Sequence, residues 1–207
     1  MAFTYFLRDL QTLERVVEHV VPYTSGRSRV QVWDAGCAMG QEPYSLAMLF
    51  AENMGHFGFK NLRIHATDLD DCDLFGNIIR TGLYREEEVK RMPRELLEKY
   101  FEPDDKAGCF RISELLRSRI RFQKHDLLSL KPVGDGFSLV LCKNVLLHFQ
   151  YAERVEMIRM FHSSLVPGGF FATEQTQKMP GETAHLFERI SGDVQLFRKI
   201  EGRQDGR

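Results

Sequence analysis

Short apolar runs that alternate with amphipathic segments constrain the fold of this chain more than any other feature. The runs predicted as strands are residues 30–33, 62–66, 119–123, 137–142 and 170–173, then a final pair within 183–190 and 194–200, the first of which could instead be a helix end. The segments predicted as helices are 10–21, 42–53, 70–80, 93–101 and 152–165. Strands that alternate with helices predict a parallel sheet with helices on both faces.

Length and composition predict one domain of ordinary size. The chain has 207 residues, of which 43% are hydrophobic and 28% are charged, and a core of that size needs neither disulfides nor a metal. We interpret residues 1–207 as a single domain with a small insertion subdomain at about 82–118, and we predict that the polar tail 201–207 is frayed.

Charge and cysteine usage exclude several classes of protein. A formal net charge of −1 creates no field that would attract a nucleic acid or a membrane surface, so neither is predicted as a partner. The four cysteines form no C-x-x-C pair and have no histidine at zinc spacing, so no metal site is predicted. The charged, amphipathic start of the chain is unlike a signal peptide, and no apolar run approaches the ~20 residues of a membrane span. We therefore expect a cytoplasmic protein with reduced thiols.

A glycine-containing loop follows the first predicted strand. Gly36 and Gly40 permit a tight turn and the close approach of a ligand at the carboxyl end of that strand, where open α/β sheets bind ligands. The G-x-x-x-G spacing departs from both the phosphate-loop and the dinucleotide patterns. With Asp34 before the loop and Glu42 after it, the loop suits a nucleoside that carries a sulfonium and an amino acid better than a pyrophosphate. A plain strand-to-helix turn is the alternative.

Polar residues also follow three further predicted strands. Asp68 could accept hydrogen bonds from both hydroxyls of a ribose, and Asp126 could accept from an adenine amino group, although helix capping or a turn would explain either residue. His148 follows the central strand and could orient an acceptor substrate or act as a general base. A histidine in an apolar segment is also commonly structural, so that alternative stays open.

Several longer motifs carry a resemblance to a known family. They are YFLRD at 5–9, AGCAMGQEPYSLAM at 35–48, ATDLD at 66–70, GLYR at 82–85, YF at 100–101, DLL at 126–128, CKNV at 142–145, HF at 148–149 and LVPGG at 165–169. With these motifs, the chain from about residue 4 to residue 199 resembles the CheR family of chemotaxis receptor glutamate O-methyltransferases. The resemblance implies a class I fold: a Rossmann-like α/β domain with a mostly parallel seven-stranded sheet and helices on both faces.

The resemblance also implies a cofactor, a partner and a set of site residues. The cofactor is S-adenosylmethionine, which becomes S-adenosylhomocysteine, and the partner is a protein substrate such as the cytoplasmic domain of a chemoreceptor. The implied cofactor-binding residues are Thr4 and Arg8 at the methionine carboxylate end, Gly36 in the loop, Glu42 at the amino-acid end, Asp68 at the ribose, Asp126 and Leu127 at the adenine, and Cys142 and Lys143 in the pocket lining. We expect two catalytic residues: Arg8 to position the cofactor and the acceptor carboxylate, and His148 to shape the acceptor side.

Departures from the family pattern concern the methyl acceptor more than the cofactor. Asp126 replaces an Asn, Lys143 replaces an Arg and His148 replaces a Tyr, and we expect the family's N-terminal helical subdomain to be absent. Two alternatives therefore stay open: a related methyltransferase with a small-molecule or other protein acceptor, and a cofactor-binding regulatory module with little activity. The glycine spacing disfavours an NAD-dependent oxidoreductase, and no feature of the sequence indicates an oligomeric state.

Overall fold

The computed structural model describes residues 4–200, and residues 201–207, for which fraying is predicted, lie outside that range. Its helices are α1 (Leu10–Thr24), α2 (Gln41–Asn53), α3 (Gly55–Lys60), α4 (Phe75–Thr81), α5 (Glu86–Val89), α6 (Arg94–Tyr100), α7 (Glu114–Arg117), α8 (Tyr151–Ser164) and α9 (Gly181–Ala184). Its strands are β1 (Val30–Ala35), β2 (Leu62–Asp68), β3 (Leu83–Arg85), β4 (Phe101–Pro103), β5 (Cys109–Ile112), β6 (Ile120–Lys124), β7 (Phe137–Leu141), β8 (Leu165–Thr173), β9 (Phe187–Arg189) and β10 (Gln195–Lys199).

One sheet of seven strands organises the molecule, in the order β6-β2-β1-β7-β8-β10-β9. Strands β6, β2, β1, β7 and β8 are parallel neighbours, whereas β10 pairs antiparallel with both β8 and β9. The predicted Rossmann-like α/β fold with a mostly parallel seven-stranded sheet is therefore confirmed. From β1 the chain proceeds outward to β2 and β6, and it then returns to form β7 on the other side of β1. Open α/β sheets bind ligands in the crevice at such a change of direction, which here lies between β1 and β7.

Two apolar clusters cover the two faces of this sheet. On one face α1 and α2 pack against β1, β2 and β7, and α1 buries Leu13, Val16, Val17 and Val20 at the i, i+3, i+4, i+7 spacing of one helical face. On the other face α8 places Phe161 against Trp33, with ring centroids 5.2 Å apart. Each side chain buried in this way contributes about 1.5–3 kcal/mol.

A second, three-stranded sheet of order β3-β5-β4 lies within the segment that we interpret as an insertion subdomain. It packs onto the main body through Phe6, whose ring lies 4.9 Å from that of Tyr84 and 5.4 Å from that of Phe101. The hydroxyl of Tyr84 donates to the carbonyl of Met39 in the glycine-containing loop, at 2.8 Å. The small sheet therefore holds the glycine-containing loop in position.

Three predicted boundaries are wrong for identifiable reasons. The helix predicted from residue 70 begins at Phe75, because Asp70 is left-handed (φ 44°) and its carboxylate accepts the backbone N–H groups of residues 74–76. Helix α1 continues past Pro22, because the Thr24 hydroxyl donates to the carbonyls of Val20 and Val21 and completes the last turn. Strand β8 begins at Leu165, before the predicted residue 170, and the Pro-Gly-Gly segment lies inside it at an irregularity in its pairing with β7.

Within residues 4–200, every helix is too short or too polar to cross a lipid bilayer.

Candidate active site

A cavity of about 660 Å³ opens at the carboxyl ends of β1, β2, β6 and β7. The residues predicted from sequence converge on it from five separate segments. Its lining includes Thr4, Arg8, Gly36, Glu42, Asp68, Asp126, Leu127, Lys143 and His148. These are all of the predicted site residues except Cys142.

Cys142 is the one predicted lining residue that the structure places elsewhere. Its side chain is fully buried in the cluster beneath α8, and burial raises the pKa of its thiol well above the usual range. Successive residues of a strand point to opposite faces, so with Lys143 directed into the cavity the preceding side chain is directed into the core.

Gly36 forms the floor of the cavity where β1 ends. Its φ is +95°, and a β-carbon there would lie only 2.2 Å from Cγ2 of Val145. Only glycine satisfies both the dihedral angle and the close approach of the loop that follows β7. The backbone N–H groups of Gly36 and Cys37 both donate to the carbonyl of Thr67, at 2.8 and 3.0 Å, so the loop is fixed to the end of β2.

Two carboxyl groups, those of Asp68 and Glu42, line the cavity beside the loop that follows β1, and a third, that of Asp34, is buried next to them. Asp68 accepts the N–H of Ala38 at 2.9 Å through Oδ2. Glu42 is in the first turn of α2, and its Oε1 is buried with no hydrogen-bond partner. Asp34 is fully buried beside it with both carboxyl oxygens unpartnered, and burial, reinforced by the nearby charge of Glu42, raises its pKa well above the usual range. Of these acids with unpartnered oxygens, only Glu42 lines the cavity, and its Oε1 fits a cationic ligand group.

The ammonium of Lys143 balances these acids. Its side chain is fully buried, and Nζ lies 3.1 Å from Oε2 of Glu42 and 3.5 Å from Oδ2 of Asp9. Nζ also donates to the carbonyl of Arg8 at 3.0 Å. A single cation therefore joins α2, the end of β7 and the segment before α1.

Arg8 reaches the cavity from that same segment. Its Nη2 donates to Oδ1 of Asn144 at 2.9 Å, and Nδ2 of Asn144 lies 3.3 Å from Oδ2 of Asp9. Asn144 is left-handed (φ 58°), a conformation that asparagine tolerates better than most residues. Its backbone N–H donates to Oε2 of Glu174 at 2.8 Å. The guanidinium of Arg8 is thus held in place by the loop that follows β7.

The β6 side of the cavity is less polar. Asp126 precedes the 3₁₀ turn Leu127–Ser129, and its Oδ1 accepts the N–H of Leu128 at 2.8 Å. The capping role considered from sequence is therefore present, and it uses one of the two carboxylate oxygens. Leu127 is buried behind it. His148 lies at the exposed mouth, in the 3₁₀ turn Leu146–His148.

Sequence reasoning did not single out Asp9, Asn144 or Glu174 as site residues. The signal for Glu174 was available, because it is an acid at the carboxyl end of a strand, as Asp68 is. The signal for Asn144 was its tolerance of a left-handed backbone. Asp9 gave no local signal, since its contact with Lys143 joins residues that are distant in sequence.

In the part of the chain that the structure describes, no three or more His, Cys, Asp or Glu residues are arranged to hold a metal ion.

Sequence comparison with known proteins identifies a family and several relatives that this chain resembles over most of its length. The family profile described as CheR methyltransferase, SAM binding domain, matches residues 2–196. The chemotaxis protein methyltransferase of Borreliella burgdorferi is 31% identical over 189 residues, which cover 86% of this chain and 65% of that protein. The chemotaxis protein methyltransferase Cher2 of Pseudomonas putida is 30% identical over 190 residues, which cover 88% of this chain and 68% of that protein. The chain thus spans about two thirds of the length of these curated relatives.

Among solved structures, the magnesium protoporphyrin IX methyltransferase (ChlM) from Synechocystis PCC 6803 with bound SAM aligns with a TM-score of 0.52. The alignment covers 94% of this chain and 80% of that chain at 16% identity, so the likeness concerns the fold alone.

Proposed function

The chain belongs to the CheR methyltransferase family, and from that premise we propose that it transfers a methyl group from S-adenosylmethionine to a glutamate carboxylate on a chemoreceptor-like protein. The observation that carries the proposal is the cavity at the carboxyl edge of the sheet, where Glu42 and Asp68 face a space with room for a nucleoside and an amino-acid tail. The named chemotaxis methyltransferases among the relatives support the choice of acceptor.

The residues of the cavity fit this cofactor. The unpartnered Oε1 of Glu42, beside the buried carboxyl of Asp34, matches a ligand with a cationic amino-acid end. Gly36 leaves space that a β-carbon would fill. We assign the ribose hydroxyls to Asp68, the adenine to Asp126 and Leu127, and the methionine carboxylate to Thr4 and Arg8. When bound, S-adenosylmethionine supplies an electrophilic methyl group on a sulfonium.

The protein's own contribution is orientation and exclusion of water. A glutamate carboxylate is already ionised at neutral pH, so it needs no base to act as the nucleophile. Arg8, held by Asn144 at 2.9 Å, is placed to orient that carboxylate. Val145 and Phe149 line the cavity near Arg8 and keep part of its wall apolar. In this proposal Arg8 is a catalytic residue because it contacts both reactants.

His148 shapes the acceptor side of the cavity in this proposal. It is exposed at the mouth, where a peptide segment can reach it. If the imidazole instead acted as a general base, the acceptor would be a hydroxyl, an amine or a thiol. A rate of methyl transfer that is flat between about pH 6 and 8 is expected for a carboxylate acceptor, whereas a titrating step in that range would favour the second candidate.

The proposal also assigns a place and a partner. The methyl acceptor lies on the cytoplasmic part of a receptor, so we place the protein in the cytoplasm with that part as its protein substrate.

Calorimetric titration with S-adenosylhomocysteine tests the cofactor site. We expect saturable binding, no binding of NAD, and a roughly 10–100-fold weaker affinity in Glu42→Gln, because a hydrogen bond to a charged group contributes about 1.5–3 kcal/mol. Glu102→Gln is the matched control, since Glu102 is exposed on β4 and does not line the cavity. If the folded protein did not bind S-adenosylhomocysteine, the proposal would be refuted.

Transfer of a labelled methyl group tests the reaction. The full chain is incubated with labelled cofactor and a receptor cytoplasmic fragment, and base treatment is expected to release the label as methanol from a carboxyl ester. Arg8→Ala should abolish transfer while retaining measurable cofactor binding. Tight cofactor binding without transfer to the receptor fragment would contradict the assigned acceptor and favour a regulatory module.

A further inference from the structure

A second cavity, of about 340 Å³, lies at the opposite edge of the main sheet. The lining includes Arg29, Gln31, Lys60, Arg63, His65 and Arg121. Arg29 precedes β1 and Lys60 precedes β2, so the cavity opens at the amino ends of the strands. The two cavities share no lining residue. Along β2 they are separated by the spacing from His65 to Thr67, about 7 Å at about 3.3 Å per residue.

Strand register brings the cationic residues together on one face of the sheet. Gln31 of β1 is paired with Arg63 of β2, and His65 of β2 is paired with Arg121 of β6. Paired residues of neighbouring parallel strands point to the same face and lie about 4.8 Å apart. The face therefore carries a compact block of donors and not a scatter of surface charges.

The connection between β6 and β7 leaves this block open. Among the described residues it contains only the 3₁₀ turn Leu127–Ser129 and no α-helix. Helix α8 covers Trp33 on the same face, but Arg121 remains exposed and Arg63 and His65 are half-buried. The sheet face is thus a polar surface that is open to solvent at this end.

The positive charge of the cavity has no protein counterion. Arg29, Lys60, Arg63 and Arg121 form no ion pair within residues 4–200. Burial, and then the charges of Arg121 and Arg29, lower the pKa of His65. In a chain of formal net charge −1, four unpaired cations around one cavity are a strong local concentration.

Hydrogen bonds of the neutral side chain of Gln31 orient other residues of the same cavity. The Oε1 of Gln31 accepts from Nη2 of Arg29 at 2.9 Å and lies 3.2 Å from Nε2 of His65. The Nε2 of Gln31 donates to the carbonyl of Asp135 at 3.2 Å, which fixes the orientation of the amide. Arg29 is therefore oriented by a hydrogen bond that leaves most of its guanidinium donors available to a ligand.

We propose that this second cavity binds a small molecule that carries a chain of phosphate groups. Several guanidinium groups that share no carboxylate match the charge and geometry of phosphate oxygens. The cavity is open to solvent, and its volume of about 340 Å³ suits a small molecule, whereas nucleic-acid binding requires a basic stripe along the surface. The inference is independent of the proposed methyl transfer, because it concerns residues outside the cofactor cavity.

Calorimetric titration of the full chain with inorganic tripolyphosphate tests this inference. We expect saturable binding of one equivalent, a weaker affinity at higher salt, and at least a tenfold loss of affinity in the double variant Arg29→Gln/Arg121→Gln. The matched control is Arg94→Gln/Arg159→Gln, which removes the same charge from exposed residues that pair with Glu98 and Glu156. That control should stay within twofold of the parent.

Two further arms identify the ligand and the site. ATP binding at least tenfold tighter than tripolyphosphate would indicate a nucleotide, and equal affinities would indicate the phosphate chain alone; either result supports the site. Tripolyphosphate should not compete with S-adenosylhomocysteine. Competition, equal binding by the Arg29→Gln/Arg121→Gln variant, or binding only to vesicles of anionic lipid would overturn the inference.

Discussion

Asp34 is unusual for an acidic residue, because its carboxyl group is fully buried. It lies in β1 with no solvent contact, and both of its oxygens lack a partner. Burial and the charge of Glu42 raise its pKa, while Lys143 opposes the shift. A proton on Asp34 would remove the repulsion between its carboxyl group and that of Glu42, which explains how two acids can share one buried site.

A raised pKa at Asp34 predicts the pH dependence of folding. The folded chain then holds a proton that the unfolded chain releases, so the contribution of Asp34 to the free energy of unfolding falls as the pH rises above about 3.8, the ordinary value. Asp34→Asn mimics the protonated form and does not titrate. We therefore expect the variant to gain stability relative to the parent between pH 4.5 and 7.5.

Urea unfolding of both proteins across that pH range measures the difference. A gap that does not change with pH would contradict the prediction. Such a constant gap would indicate that Lys143 keeps Asp34 ionised in the folded chain, because both states would then be ionised across this range. Asp105→Asn is the control, because Asp105 is exposed in the turn before β5.

At the scale of elements, the loop after β1 and the loop after β7 depend on each other. Gly36 combines a positive φ with a β-carbon position 2.2 Å from Val145. We expect Gly36→Ala to lower the free energy of unfolding by about 2–4 kcal/mol, from backbone strain and overpacking together. In a Val145→Ala background the same substitution should cost only about 1–2 kcal/mol, because the clashing methyl groups are gone.

Chemical denaturation of the four proteins in this cycle gives the coupling between the loops. Gly26→Ala isolates the backbone component, since Gly26 has φ +77° and its β-carbon would meet nothing within 4 Å. If Gly36→Ala lowered the free energy of unfolding equally in the parent and in the Val145→Ala background, a shift elsewhere in the structure would be relieving the clash.

Sequence patterns predicted the elements whose partners are encoded locally. Strand β7 is recognisable because an apolar run suits a strand that is buried on both faces. Strands β3 and β4 escaped prediction, because each has three residues and pairs only through β5, as Leu83 does with Arg111. Helix α4 was predicted five residues too early, because the capping carboxylate of Asp70 looks from sequence like part of the helix.

The residues of the candidate site likewise divide into those that the local sequence predicts and those that it does not. Asp68 was predictable because it lies at the end of a strand, at the edge where parallel strands end together, and Glu42 because it follows the glycine-containing loop at that edge. The contacts of Asp9, Asn144 and Glu174 depend on three distant segments meeting, and no local period encodes such a meeting. The direction of the Cys142 side chain was mispredicted, because the motif fixes its position directly after β7 but not the face of the sheet toward which the side chain points.

At the scale of the whole molecule, the segment before α1 joins the two sheets across the cofactor cavity. Phe6 packs against the small sheet, the N–H of Leu7 donates to Oγ of Ser45 at 2.8 Å, and Lys143 holds Arg8 and Asp9. Each contact is individually modest. Together they make closure of the cavity depend on a segment that has no regular secondary structure over residues 4–9.

Hydrogen exchange with and without S-adenosylhomocysteine tests this dependence. Saturating ligand stabilises the folded state by about 2.7 kcal/mol at one hundred times its Kd, which slows exchange wherever it requires global unfolding. Because residues 4–9 exchange through local opening, we expect their protection to increase when Arg8 and Glu42 engage the ligand, together with that of residues 143–149. Helix α3, which lies outside the cavity, should show no local change. Protection that leaves residues 4–9 unaffected would show that the segment is not part of the cofactor site.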